Sequence, residues 1–242
     1  MHSKEQVIAP LLEKHLNVHC STPEINTDIF GAFSGETERL CSPIESARKK
    51  GEFALKTTGF DLAIASEGSF GKHPYIPFAA ADDEIVLLLD KKNNLEIFGQ
   101  ILTTETNFRS SYIYSLEEAM IFAEKTRFPE HSLIIRTEPE ELKYLVKGIN
   151  EMFQFKGLIQ QMLEKNGSVW VETDMRAMHN PTRMNAIKQA TLNLIDKLKS
   201  TCPSCFTPGF WESKAVPGLP CSHCNMPTKS TSVHIYNCLK CD

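Results

Sequence analysis

The sequence predicts an α/β protein: a mixed twisted sheet with flanking helices over residues 1–200, followed by a small cysteine-rich domain over residues 201–242. Two observations lead to this class. Short apolar runs of strand length alternate with longer segments whose apolar residues recur at helical spacing, a pattern typical of α/β cores. Six of the eight cysteines fall after residue 200, which sets the end of the chain apart in composition.

Helices are predicted from apolar periodicity and from capping residues. The first two cover residues 4–16 and 42–59. In the second, Ser42 is a natural N-cap, Pro43 occupies the first helical position and Glu45 completes a capping box. The remaining predicted helices cover residues 115–128, 139–165 and 181–200.

Strands are predicted where apolar residues form short runs. EIVLLLD and NLEIFGQILTTET flank KKNN, which indicates an antiparallel hairpin. FDLAIASEGSFG at 60–71 indicates a strand that ends in a glycine-flanked acidic turn containing Glu67. The other predicted strands are NVHC at 17–20, HSLIIRT at 131–137 and SVWVETD at 168–174.

Composition limits the classes of partner. The formal net charge of −4 argues against a dedicated nucleic-acid binder, which needs clustered basic residues, so nucleic acid is left open but not favoured. No apolar run approaches the roughly 18 residues that a membrane span needs. The charged N-terminal stretch lacks the apolar segment of a signal peptide, so we expect a cytoplasmic, reduced protein without a membrane partner. A homodimer is left open.

The cysteine-rich end is predicted to be a zinc ribbon. A CxxC pair can direct two sulfurs at one tetrahedral Zn²⁺, and so short a segment in a reducing compartment needs a metal staple. The predicted zinc ligands are Cys202, Cys205, Cys221, Cys224, Cys238 and Cys241. The number of ions is left open, with His223 and His234 as further ligand candidates. Such a closed site is structural or serves docking.

The junction between strand 168–174 and the last helix concentrates polar side chains. Asn180 and Pro181 have a local explanation as the N-cap and first residue of the helix. A helix N-terminus also suits an anion, and the planar donor forks of Arg176 and Arg183 suit a phosphate or carboxylate. We therefore expect an anion site here.

Two further residues of this junction have candidate catalytic roles. Asp174 is placed to hold an arginine or a metal, and His179 is a candidate acid–base group. The alternative is an ion-pair network between Asp174 and an arginine that only fastens the helix to the strand. The sequence leaves both readings open.

Glu67 is the candidate metal ligand and catalytic carboxylate of the N-terminal region. A triphosphate with Mg²⁺ needs oxygen ligands for the metal and cationic or amide donors for the phosphates. A carboxylate after the apolar run LAIA, beside Gly68, is an unusual choice for solubility alone. Further binding candidates are Lys4, Glu36, Glu45, Lys49, Ser66, Ser69, His73 and Asn107. Capping for Glu45, loop shaping for His73 and turn formation for Asn107 are structural alternatives.

The order of elements over residues 2–135 resembles the inosine/xanthosine triphosphate pyrophosphatase superfamily. The segments that carry the resemblance are HSK at 2–4, SGETERLCSPIESARKKGEFAL at 34–55 and LAIASEGSFG at 62–71. The resemblance implies a Mg²⁺- or Mn²⁺-dependent hydrolase of a noncanonical nucleoside triphosphate or another phosphate-bearing small molecule. The alternative is an inactive ligand-binding module that recruits a partner or nucleic acid through the ribbon.

Two other sequence relationships bear on the fold. SGETER, ASEGSFGKHP, ETNF, ETDMRAMHNPTRM and the cysteine tail together are similar to a bacterial family of uncharacterised proteins over the full length. Against the pyrophosphatase pattern, the chain begins at Met1 inside the first phosphate loop, so the first strand of that fold is missing. We expect a longer chain to be more stable, and equal melting temperatures would contradict this.

Overall fold

The structure, a computed structural model, describes residues 3–25, 41–139 and 141–241. Its helices are α1 (Glu5–Leu16), α2 (Pro43–Thr58), α3 (Leu116–Lys125), α4 (Met152–Asn166) and α5 (Pro181–Lys199). Its strands are β1 (Leu62–Lys72), β2 (Ala80–Asp90), β3 (Leu95–Thr103), β4 (Ser110–Ile113), β5 (Leu133–Arg136), β6 (Val146–Ile149), β7 (Val169–Thr173), β8 (Trp211–Pro217) and β9 (Thr231–Asn237). The described chain is thus a mixed α/β protein, as the sequence predicts.

Capping residues fix where the main helices begin. The predicted capping box of α2 is confirmed, because the Ser42 side chain accepts from the Glu45 backbone N–H while the Glu45 carboxylate accepts from Ser42 N–H. Ser115 caps α3 and Asn180 caps α5 through one hydrogen bond each, in which the side chain accepts a backbone N–H of the first turn. These side chains satisfy donors that a helix start leaves unpaired.

The first sheet contains β1, β2 and β3 in that order, and both pairings are antiparallel. Side chains of a strand alternate between the two faces. On one face, Leu87 and Leu89 pack against α2 residues such as Leu55. On the other face, Val86 packs against α5 together with Ile97 of β3. Because a helix covers part of each face, polar residues beneath the helices, such as Glu67 on one face and Glu84 on the other, are removed from water.

Helix α5 lies directly on β3. At Gly99 of β3, a Cβ would come within 2.1 Å of the Ala190 carbonyl oxygen and 2.3 Å of the Leu194 nitrogen. Only the absence of a side chain allows this approach. On its far side α5 packs against Ile8 and Leu12 of α1, so α5 is the central helix of this half of the molecule.

The second sheet has the order β4-β7-β5-β6, again antiparallel throughout. The predicted strand at 168–174 is confirmed as β7, whose burial alternates: Val169 and Val171 lie in a core shared with Phe155 and Ile159 of α4. Strand β7 lies between β4 and β5 and leads into a single 3-10 turn at Ala177–His179, which precedes α5. The second sheet is therefore connected to the start of α5 through β7 and this turn.

Strands β8 and β9 form a separate antiparallel hairpin whose residues are mostly exposed. It joins the rest of the molecule at the C-terminal end of α5, where the Gly209 N–H donates to the carbonyls of Lys197 and Ser200. Gly209 also lies against Ile97 and Leu239, and its φ of 88° is one that residues with a side chain rarely adopt.

The strand pairing differs from the single mixed sheet that the sequence predicts. All pairings in the described segments are antiparallel and fall into three separate sheets. The reason lies in the connections: β1, β2 and β3 follow one another through short turns, and short turns join antiparallel neighbours. The predicted hairpin around KKNN is confirmed as β2 and β3.

Three local predictions are wrong. Residues 139–165 are not one helix, because Gly148 takes a φ of 70° within β6 and α4 begins only afterwards. Residues 17–20 form no strand, since Asn17 ends α1 in a left-handed conformation. Strand β1 continues through Glu67 to Lys72, which places Glu67 in the middle of a paired strand and not in a turn.

Within these described stretches no helix combines the length and apolar character required to cross a bilayer.

Candidate active site and metal centre

Four cysteines converge at the base of the β8–β9 hairpin. The ligand atoms of Cys202, Cys205, Cys238 and Cys241 all lie within 4.8 Å of one another. The sulfurs of Cys202 and Cys241 are 3.6 Å apart, and those of Cys205 and Cys238 are 3.5 Å apart. Thiolates bound tetrahedrally to zinc at about 2.3 Å stand about 3.8 Å from one another, so this group fits a Cys₄ zinc centre.

The local chain geometry explains how the first pair is held. Residues 201–208, called the first knuckle here, are closed by a bridge between Thr201 and Pro208. The Cys202 N–H donates to the Thr207 carbonyl and the Phe206 N–H donates to the Cys202 carbonyl, both at 2.9 Å. This turn directs both sulfurs of the pair to the same side.

The two remaining cysteines of the predicted zinc set lie elsewhere. Cys221 and Cys224 belong to the loop between β8 and β9, at the opposite end of the hairpin from the four-cysteine group. Of the six predicted zinc ligands, four are grouped in the described residues, because the hairpin brings its two ends, but not its tip, together. Zinc binding by Cys221 and Cys224 stays a prediction.

A group of charged side chains is buried between β2 and α5. Asp82 and Glu84 lie on the α5 face of β2, and Arg183 lies on the first turn of α5; all three are 0% exposed. Arg183 donates from Nε to Glu84 Oε1 at 2.5 Å and from Nη1 to the Met175 carbonyl at 2.5 Å. Its guanidinium also lies over the Phe70 ring, 5.1 Å from the centroid.

The Asp82 carboxyl is the most perturbed acid in this group. Burial, and then the neighbouring Glu84 carboxylate, raise the pKa of Asp82 to about 8. Among the described residues no nitrogen or hydroxyl donor reaches either Asp82 oxygen or Glu84 Oε2, and a hydrogen bond between the two carboxyl groups further raises the pKa of Asp82. Two carboxyl groups in such a position share a proton or hold a cation between them, because two adjacent buried negative charges repel.

Lys4 connects this group to β1. Its Nζ donates to the Ser66 carbonyl at 3.4 Å. Burial, and then the Arg183 charge, lower the pKa of Lys4 to about 8, against the opposing influence of Glu84 and Glu67. Since Lys4 interacts with carboxylates on both faces of the first sheet, the structure brings the predicted residues Lys4, Glu67 and Arg183 into one electrostatic cluster.

Glu67 lies on the α2 face of β1 and is 1% exposed. It accepts from Lys50 Nζ of α2 at 2.5 Å. A buried carboxylate without a counter-charge would be strongly destabilising. Lys50 supplies that charge, and it also adds a third cation to the cluster beside Lys4 and Arg183.

Gly68 makes room for the pair of carboxylates. It lies directly opposite Glu84 in the β1–β2 register. A Cβ at Gly68 would come within 2.1 Å of Glu84 Oε1, the oxygen that receives Arg183. Any larger residue would displace that carboxylate from its arginine. Gly68 is therefore explained by Glu84 on the neighbouring strand, whose carboxylate occupies the space that a side chain would need.

Asp174, Arg176 and His179 form a second polar group, at the start of α5. Asp174 is 0% exposed and accepts from Arg176 Nη2 at 2.5 Å and from the Gly148 N–H at 3.1 Å. His179 Nδ1 lies 3.2 Å from the Ser132 hydroxyl, and burial lowers the pKa of His179. The group therefore contains the ion pair between Asp174 and an arginine that the sequence left open.

Asn180 joins the two groups. Its side-chain oxygen accepts the Arg183 N–H at 3.0 Å, which is the N-cap bond of α5. Its side-chain nitrogen donates to Asn107 Oδ1 at 2.8 Å and lies 3.3 Å from the Asp174 carbonyl. The Asn107 amide nitrogen is buried without an acceptor among the described residues. Asn180 thus links the arginine-bearing end of α5 to the segment between β3 and β4 and to the residue that follows β7.

A groove of about 570 Å³ opens at the N-terminus of α5. Arg127, His131 and Thr182 line it, and the Thr182 hydroxyl is bonded by Arg127 Nη2 and lies 2.9 Å from His131 Nε2. Burial lowers the pKa of His131. Arg127, which lines the groove, was not singled out by the sequence, whereas Arg183 points into the interior.

The other predicted residues lie apart from these groups. Lys49 Nζ donates to Cys41 Sγ at 2.8 Å. His73 Nδ1 accepts two backbone N–H groups of the following loop, which matches the loop-shaping alternative. Ser69 lies on the α2 face of β1 and is half-buried. Glu36 lies outside the described residues.

Asp82, Glu84 and Lys50, which complete the buried charged cluster, were not predicted from the sequence. Asp82 and Glu84 occupy alternate positions at the start of an otherwise apolar strand, and that spacing places both on one face. The pattern in AADDEIVLLLD could have revealed the pair. Lys50 and Arg127 carry no comparable signal, because each looks like an ordinary charge on or after a helix.

Comparison with known proteins identifies a family for most of the chain. Residues 50–242 match a family described as a domain of unknown function, DUF6671. No curated protein and no solved structure matches the chain. The matched region runs from α2 to the C-terminus and so includes β1, β2, the start of α5 and all four grouped cysteines. The chain therefore belongs to the DUF6671 family.

Proposed function

We propose that this protein is a Mg²⁺-dependent hydrolase of a nucleoside triphosphate or a related phosphoester. The observation that carries the proposal is the Asp82–Glu84 pair, which is fully buried and has three oxygens without a donor among the described residues. Buried polar atoms in folded proteins almost always have a partner. A buried acidic pair with three such oxygens, beside the cations Arg183 and Lys4, is a reason to expect a ligand that satisfies both the acids and the cations.

The donor set fits magnesium or manganese. Mg²⁺ prefers oxygen ligands and is usually bound through one or two carboxylates, with phosphates and water completing its shell. Asp82 and Glu84 provide that number. When bound, the metal would neutralise the two carboxylates and polarise the phosphate undergoing attack. The raised pKa of Asp82 supports this fit, because the proton it retains occupies the place of a cation.

The surrounding cations fit the phosphate groups of the substrate. Lys4 and Arg183 act on Asp82 electrostatically, while Lys50 lies on the α2 face beside Glu67 and interacts with Lys4. Arg183 is fully buried, and Lys4 and Lys50 are half-buried. Charge-assisted donors in such surroundings bind phosphate oxygens strongly and stabilise the charge that develops during transfer. The resemblance to the inosine/xanthosine triphosphate pyrophosphatases supports a nucleotide as the phosphate carrier.

The other predicted residues take supporting roles in this proposal. Glu67 holds Lys50, and it becomes a metal ligand only if Lys50 releases it toward substrate. Asp174, His179 and Asn180 position the start of α5 and through it Arg183, since Asn180 bonds both the Arg183 N–H and the Asp174 carbonyl.

The test is a panel of canonical and noncanonical nucleoside triphosphates with Mg²⁺ or Mn²⁺, with phosphate and pyrophosphate release measured separately. We expect turnover of at least one nucleotide, lost by about 100-fold or more in Asp82→Asn and Glu84→Gln, since each removes a charged ligand of the metal. The matched control is Asp83→Asn, which changes the neighbouring acid on the opposite face of β2, where it bonds Gln100.

Two outcomes would overturn the proposal. One is an absence of turnover together with no nucleotide-induced rise in melting temperature. The other is turnover that persists in Asp82→Asn and Glu84→Gln at the level of Asp83→Asn, because the cluster would then not be the site.

The second candidate function is a binding module that recruits nucleic acid through the ribbon. It is favoured by one observation: Phe206 is 75% exposed and Tyr236 is 50% exposed, close in sequence to the grouped cysteines. Exposed aromatic rings stack on unpaired bases. A salt-dependent shift of fluorescently labelled single-stranded DNA, lost in Phe206→Ala, would support it, and no binding at low salt would exclude it.

A further inference from the structure

The loop at the tip of the β8–β9 hairpin repeats the geometry of the first knuckle. In residues 220–227, called the second knuckle here, the Cys221 N–H donates to the Met226 carbonyl and the Asn225 N–H donates to the Cys221 carbonyl, both at 2.9 Å. A bridge between Pro220 and Pro227 closes the turn. These are the same three contacts, at the same offsets, that close residues 201–208.

The backbone conformation repeats as well. The residue after the second cysteine has a φ of 59° in the first knuckle, at Phe206, and a φ of 58° in the second, at Asn225. A positive φ is uncommon for residues other than glycine and needs a reason. In the first knuckle the reason is a turn that presents two sulfurs to a metal. The second knuckle is folded for the same task.

The second knuckle has only half of a metal site. A tetrahedral zinc ion needs four ligands. Across the described parts of the chain, Cys202, Cys205, Cys238 and Cys241 form the single group of three or more close metal-ligating side chains, and neither His223 nor His234 joins Cys221 and Cys224. His234 instead lies 2.7 Å from Glu212. The described residues supply no further ligands to this pair, so a partner chain is the source considered for the other two.

We infer that Cys221 and Cys224 bind a second zinc ion shared with the same two cysteines of another copy of this chain. A two-fold axis through the ion would make each knuckle supply an identical half of a Cys₄ site, which is the symmetry expected of a self-complementary contact. Each thiol gives up its proton to solvent as it binds. The shared ion links two chains tip to tip.

The surroundings of the tip support a second copy as the occupant. Leu219 and Met226, which flank the cysteine pair, are 48% and 65% exposed, so two facing tips would cover apolar surface on both sides. The hairpin itself is largely exposed along both strands. A two-stranded hairpin without a core is marginally stable. A metal at each end would hold it.

The inference is independent of the proposed hydrolase, and its test measures metal content and mass rather than activity. Full-length protein is purified under reducing, oxygen-free conditions with zinc, and zinc per chain is measured by elemental analysis. Native mass spectrometry and sedimentation over a concentration series give the oligomeric state. We expect a dimer with about 1.5 zinc ions per chain, since each chain has one complete Cys₄ centre and half of a shared one.

The decisive variant is Cys221→Ser/Cys224→Ser. It should be a monomer with about one zinc ion per chain, because the four-cysteine centre is untouched. The matched control is Cys20→Ser/Cys41→Ser, which removes two cysteines outside the ribbon and should keep the dimer and its zinc.

Three results would overturn the inference. The first is a wild-type monomer with one zinc ion per chain and a disulfide or two alkylatable thiols at the second knuckle. The second is a monomer that holds two ions. The third is a dimer that persists in Cys221→Ser/Cys224→Ser.

Discussion

At the scale of single residues, the unusual feature is a pair of adjacent acids in a fully buried position. Asp82 faces Glu84 on its own strand, Arg183 from α5 and Lys4 from the start of α1. One arginine engages Glu84 directly, while Asp82 has no donor among the described residues. Such an arrangement opposes folding, and proteins retain destabilising groups mainly where function requires them.

This leads to a prediction about pH. Asp82 has a pKa of about 8 in the folded chain against an ordinary value of 3.8. Between these values the folded state holds a proton that the unfolded state has lost, so the free energy of unfolding falls as the pH rises, by about 1.4 kcal/mol per pH unit. Lys4 acts in the opposite direction, but only above its own pKa of about 8.

The measurement is urea unfolding of magnesium-free protein between about pH 5 and about pH 7.5. In this range the titration of Asp82 changes the free energy of unfolding, whereas that of Lys4 does not. We expect stability to fall across this range in the wild type and to fall much less in Asp82→Asn, which cannot ionise. Asp83→Asn should follow the wild type. Equal slopes for all three proteins would show that Asp82 titrates normally.

A second residue-scale prediction separates function from structure. Asp82→Asn should be at least as stable as the wild type at about pH 7.5, because it removes a buried acid that has no donor. The same variant should lose turnover. A variant that loses both stability and turnover would indicate that Asp82 is needed only for the fold.

At the scale of elements, the position of α5 depends on one close approach. Gly99→Ala would place a methyl group within 2.3 Å of backbone atoms of α5, and a helix backbone cannot move aside as a side chain can. We expect a loss of about 3 kcal/mol or more in the free energy of unfolding. Gly71→Ala is the control, since a Cβ there meets nothing within 4 Å, and should change stability by less than about 0.5 kcal/mol. Similar urea midpoints for both variants would contradict this packing.

The elements also show what a sequence can and cannot predict. The caps at Ser42, Ser115 and Asn180 were predictable because each involves residues three apart, and the β2–β3 hairpin because its turn is local. The order of the second sheet, in which β7 inserts between β4 and β5, was not predictable from local pattern.

The same division applies to the candidate site. Glu67, Lys4 and Arg183 were predicted individually from their neighbours in sequence. The bond between Arg183 and Glu84 joins positions 99 residues apart, and no periodicity connects them. Likewise, the positive φ of Gly148 follows from strand pairing and could not be separated in sequence from a weak point in a helix.

At the scale of the whole molecule, the hairpin and the rest of the chain are stabilised by different means. The two larger sheets have apolar cores, whereas the hairpin is mostly exposed, so we expect a metal bound by the four grouped cysteines to stabilise it. We expect Cys238→Ser to abolish hydrogen-exchange protection of β8 and β9 while leaving that of β2 and α5 unchanged. Cys41→Ser is the control. Protection lost throughout the chain, or kept in the hairpin, would contradict this division.

Helix α5 gives this arrangement a mechanical consequence. Its first turn carries Arg183 against the buried acids, and its last turn bonds Gly209 beside the cysteine centre. Between them run 19 residues of continuous helix, about 28 Å of stiff rod. We therefore expect a displacement of the hairpin to be transmitted along α5 and to shift Arg183 relative to Glu84.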